Sequence, residues 1–138
     1  MPGASNYLEL KLLDHYFGST NYAIPGTYYL ALATASIADT DTGSTIGEAG
    51  YGGYTKIALV NSTATWANAA AGVKNLAVTV SFPACTSGDG TYTHWALTDN
   101  SGTRAGFIIC YGTLNVNKII SSGDTPQIAA TDLAFTLD

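Results

Sequence analysis

Gly47-Glu48-Ala49-Gly50-Tyr51-Gly52-Gly53-Tyr54, running on into Thr55-Lys56-Ile57-Ala58-Leu59-Val60, decides how the chain is read. Four glycines within seven positions free the backbone for conformations that side chains forbid. A flexible corner feeding an apolar, β-branched run is how a chain enters a sheet from a sharp bend. A phosphate cradle is the competing reading. It fails because such loops need Gly-Lys-Ser/Thr opening a helix, or a strand before and a helix after. This loop carries Glu48 and opens a strand.

Working outward, the N-terminal side holds the single predicted helix, Asn6 to Phe17. Asn6 and Glu9 have capping-box spacing, and Leu10, Leu13 and Phe17 recur at helical period. Gly18 stands where a left-handed cap would end the helix. Thr27 to Ala33 follows as a strand with Tyr28, Leu30 and Leu32 on one face. From Thr34 to Gly47 the composition is that of a long polar loop.

On the C-terminal side, Thr63 to Gly72 reads as a loop planting Trp66 on the core edge. Leu76, Val78, Val80 and Phe82 alternate with Ala77, Thr79 and Ser81 and predict one strand, which Pro83 stops. Further strands are expected over Thr91 to Asp99, Arg104 to Gly112 and Leu114 to Ile120. A last one carries Leu133, Phe135 and Leu137. About eight short strands with regular turn signals predict an all-β chain, a jelly-roll-like antiparallel β-sandwich with one short N-terminal helix. Its 138 residues are expected to form one domain, with residues 1–18 as a helical arm.

Composition narrows the function. Charged residues are 11% of the chain and apolar ones 46%, a balance suited to a protein packed against partners. The net charge is −5, and the five cations (Lys11, Lys56, Lys74, Arg104, Lys118) are scattered. No cationic footprint for nucleic acid results. No apolar run approaches the roughly 20 residues that span a bilayer, and Met1 to Ser5 lacks the layout of a signal peptide. Cys85 and Cys110 lack any framework spacing and are read as free thiols.

The usual constellations of chemistry do not assemble. Asp39, Asp41, Gly43 and Glu48 resemble part of a calcium loop without its full ligand spacing, so a solvated loop is expected. Two histidines, His15 and His94, are too few for a convincing zinc site. His94 with Asp99 and a serine would need a nucleophile elbow that is missing. The expectation is no enzyme, no cofactor and no metal. Nine tyrosines exceed what one core requires, and tyrosine suits surfaces that a partner buries. The interface candidates are Tyr7, Leu10, Leu13, Tyr16 and Phe17 on the helix, and Tyr51 and Tyr54 in the glycine-rich corner.

Leu12-Leu13-Asp14-His15-Tyr16-Phe17-Gly18, then Tyr28-Tyr29-Leu30-Ala31-Leu32, then Glu48 through Gly53-Tyr54 form an ordered set of motifs. The set continues through Asn75, Val80-Ser81-Phe82-Pro83, Thr93-His94-Trp95-Ala96-Leu97-Thr98-Asp99 and Tyr111-Gly112-Thr113-Leu114. In this order and spacing, the chain resembles a family of small tailed-phage virion proteins variously labelled tail-fibre or capsid cement (decoration) proteins. Lys56 stands where the resemblance leads one to expect arginine. The resemblance implies a jelly-roll-like structural module without enzymatic activity. It also implies a homo-dimer or homo-trimer bridging capsomers of the major capsid protein on the outer capsid surface, after assembly in the host cytoplasm. Cement is the expected role, because no elongated or coiled-coil shaft is visible. A fibre module for receptor or carbohydrate recognition is the alternative.

Overall fold

The computed structural model describes residues 3–136. Met1, Pro2 and Leu137, each part of a sequence expectation, lie outside the described residues.

The chain is all-β with one N-terminal helix. Gly3–Ala4 (β1) leads into helix α1, Asn6–Phe17, and the strands Thr27–Ala33 (β2) and Ile57–Val60 (β3) follow. Val73–Asn75 (β4), Val80–Ser81 (β5), Gly90–Thr98 (β6), Ile108–Ile120 (β7), Gln127–Ile128 (β8) and Ala134–Thr136 (β9) complete it. Strands β1, β7, β6, β2 and β3 form one five-stranded antiparallel sheet in that order. β4 pairs with β9 and β5 with β8 in two separate antiparallel ribbons. One broad sheet and two ribbons thus stand where a jelly roll would have two comparable sheets.

Register explains the core. Leu30, Leu97 and Cys110 are cross-strand partners, as are Leu32 and Trp95, so they share one sheet face. Leu76, Phe82, Ile128 and Leu133 from the ribbons pack into the same cluster. Burying each such side chain contributes about 1.5–3 kcal/mol. On the opposite face, the small residues Ala33 and Ala96 leave room for Ile37, Ile46 and Ile108, a second cluster under the loop after β2.

Three sequence expectations are corrected. The alternating run Leu76 to Phe82 is not one strand: Leu76 bridges to Trp66, while Val80 pairs with Ile128. The chain passes from one ribbon to the other there, and Val78 is left exposed. Conversely, the two strands expected around Gly112 are one, β7, thirteen residues long. β7 is irregular instead between its pairings Tyr92↔Lys118 and His94↔Thr113, where Thr93 alone faces the four residues 114–117. Residues 114–117 are thus surplus to the pairing, and Val116 among them is exposed. Finally, the helix cap is Ser5, whose Oγ accepts the Leu8 N–H, and Gly18 ends the helix at φ −115°. The left-handed residue is Ser19, at φ 60°. Gly18 is required for space: a Cβ there would meet the Asp14 carbonyl oxygen at 2.9 Å.

Candidate functional site: the outward face of the N-terminal helix

Helix α1 is fastened along its inner side and left bare on its outer side. At its start, the Ser5 N–H donates to Ile109 O at 3.1 Å and the Asn6 N–H to Asp39 O at 3.1 Å. The Ser5 hydroxyl also donates to Ile108 O. Leu8 enters the main core, with Tyr7 and Leu12 packed against it. Tyr7 stacks on Phe107 with ring centroids 4.4 Å apart and planes 2° from parallel, and the Lys11 ammonium lies 5.7 Å from the Tyr7 ring centre. At its end, His15 Nδ1 accepts the Tyr22 N–H at 3.2 Å, tying the last turn to the following loop.

A helix turns 100° per residue, so Leu10, Leu13 and Phe17 lie nearly opposite Leu8. They are 63%, 56% and 85% exposed, and Tyr16 beside them is exposed as well. The expected stripe is therefore real, but this chain buries the neighbouring Leu8–Leu12 side instead. Of the seven interface candidates, Leu10, Leu13, Tyr16 and Phe17 are brought together on one open surface, and Tyr7 is half-buried at its margin.

Tyr51 and Tyr54 are corrected as surface anchors, since they are 5% and 9% exposed. Tyr51 packs edge-on against Tyr54 and Tyr92, and its hydroxyl donates to Pro83 O at 3.0 Å. Burial pushes its pKa up to about 12. Tyr54 stacks on Phe82. Its hydroxyl donates to Glu48 Oε1 at 2.9 Å and accepts the Leu32 N–H at 3.3 Å. Burial and the adjacent Glu48 carboxylate raise its pKa well above the ordinary phenol value.

The glycine-rich corner surrounds a buried polar node missed in the sequence. Glu48 Oε2 lies 3.8 Å from Lys56 Nζ, with both side chains fully buried, and accepts the Arg104 N–H at 2.5 Å. Lys56 Nζ donates to Thr98 Oγ1 at 3.0 Å, Ala105 O at 2.9 Å and Asn100 O at 3.2 Å. The node ties the corner to the β6–β7 turn and holds Arg104 at φ 55°. Burial lowers the Lys56 pKa, against the pull of Glu48. Gly53, at φ 87°, lets the corner pass Ala84, whose carbonyl oxygen a Cβ would meet at 2.8 Å. The only sequence signal for this node was a charged pair inside an otherwise apolar, glycine-rich stretch.

No group of three or more His, Cys, Asp or Glu converges for a metal among the described residues. His94 Nδ1 contacts Thr93 Oγ1 at 2.7 Å, while Asp99 Oδ1 accepts the Phe107 N–H at 2.8 Å. Each is engaged in local structure, with no hydrogen bond joining them. Cys85 and Cys110 are free and buried. No helix among the described residues is long and apolar enough to cross a membrane.

Residues 3–136 match the family described as Podophage GP4 fiber I protein gp80. The chain belongs to this family. It is thereby a phage virion structural protein of a fibre-labelled class, in keeping with the resemblance carried by the ordered motifs. The match to the fibre I family spans helix and sheet alike, so the open helix face is part of the family's matched region. No curated protein matches the chain.

Proposed function

We propose that this protein is a non-enzymatic fibre component of a podophage virion, attached to its neighbours through the outer face of α1. The observation that carries the reading is the fibre I description matched over residues 3–136. The helix supports the attachment because it is anchored at both ends and its exposed Leu10, Leu13, Tyr16 and Phe17 offer aromatic and aliphatic anchors. The neighbours are further copies of this chain and the virion proteins around its attachment point.

A second reading, capsid cement on the outer capsid surface bridging the major capsid protein, draws on shape. The described residues build two cores on one sheet and contain no elongated or repeated shaft. Copies per virion separate the two. A fibre at a symmetric vertex or tail is present in on the order of a dozen copies or fewer, whereas cement approaches the number of major capsid subunits. Gel densitometry against the major capsid band gives the count, and a value near the capsid number overturns the fibre reading.

A further inference from the structure

Behind the β4–β9 ribbon lies a cavity of about 150 Å³ between the ribbon, the core face of the sheet and the start of α1. Its lining is mainly apolar and includes the aromatic rings of Tyr28, Trp66 and Phe135 and the thiol of Cys110. Two polar side chains join it, Asn61 and Lys74. Lys74 and Phe135 face each other across the ribbon. Both also line an outer recess of about 380 Å³. This one cross-strand pair therefore lines both recesses, the inner of which is itself half-open to solvent.

One charge in this lining is unspent by the fold. Lys74, half-buried in the same lining, has no carboxylate partner among the described residues, whose one ion pair is Lys56 with Glu48. An apolar space with a cation in its lining is complementary to a small organic anion with an apolar body.

We infer that this cavity binds a small carboxylate with an apolar body, its carboxylate on Lys74 and its chain or ring against Tyr28, Trp66 and Phe135. A cavity of this size takes a body of about six carbons, roughly that of benzene. The inference is independent of whether the protein serves as fibre or cement.

The test uses the full-length protein with hexanoate, benzoate and n-hexanol as probes, read by thermal shift and by the indole N–H resonances of Trp66 and Trp95. Saturable stabilisation by the two carboxylates is expected, with the Trp66 resonance moving. Lys74→Gln, on a half-exposed ribbon position, should weaken hexanoate about tenfold and leave hexanol unchanged. Cys110→Met should block the cavity; where that variant fails to fold, Lys74→Gln decides. Absence of saturable carboxylate binding overturns the inference. So does hexanol binding as tightly as hexanoate, unchanged hexanoate affinity in Lys74→Gln, or a response of Trp95 alone.

Discussion

Glu48 and Lys56 show how one buried pair can hold three segments in register. Every hydrogen-bonding partner of Lys56 Nζ lies in the stretch from Thr98 to Ala105, and Glu48 reaches Arg104 in the same stretch. Removing one charge strands the other in a dry interior, so Glu48→Ala should lose about 3–5 kcal/mol. A double-mutant cycle with Lys56→Met, read by urea denaturation, should give a combined loss well short of the sum. The tyrosines set a second residue-scale outcome. Tyr51, Tyr54 and Tyr92 all have folded-state pKa values raised above the ordinary 10, chiefly by burial. An acid that keeps its proton only when folded contributes stability that is fully present below pH 10 and lost as pH rises. Lys56, with its lowered value, works in the opposite direction, as one group against three. Stability should therefore fall from pH 10 towards 12, and phenolate absorbance should appear together with unfolding.

At the scale of elements, the helix and the sheet core call for opposite outcomes. Leu10→Ser, Leu13→Ser and Phe17→Ser, all on the exposed face, should each change stability by within about 0.5 kcal/mol and together abolish incorporation into virions. A triple variant that assembles normally would remove α1 as the attachment element. Ser5→Ala, losing the cap and its bonds to β7, should cost about 1 kcal/mol or more. The boundaries of α1 and β2 were legible because period and punctuation agree there. The alternation from Leu76 to Phe82 misled because period 2 records which residues turn inward, not which partner strand they meet. Gly112 reads as a break in the sequence but faces Trp95 across the sheet, inside β7. The interface candidates divide on the same ground: a tyrosine's amphipathic ring suits a core with hydroxyl acceptors as well as it suits a surface. Pro83 O and Glu48 Oε1, which decide for Tyr51 and Tyr54, are distant or irregular in sequence.

For the whole molecule, few charges and two apolar clusters on the two faces of one sheet describe a body with little charge to keep copies apart. Particles lacking the protein should remain intact and fail to adsorb if it is a fibre. If it is cement they should adsorb and lose DNA on heating. Plaque assays beside nuclease-sensitive DNA release read both arms. The pairing of Ser5 with Ile108 and Ile109, over a hundred residues apart, has a kinetic consequence. β2 meets β3 early, but it must wait for β6, and the N-terminal cap must wait for β7. Chains dominated by such distant pairings fold in milliseconds to seconds rather than microseconds. On a ribosome, α1 emerges well before β7, to which its N-terminal cap is bonded. Until β7 is synthesised, the apolar residues on both sides of α1 are open to solvent and to other nascent chains.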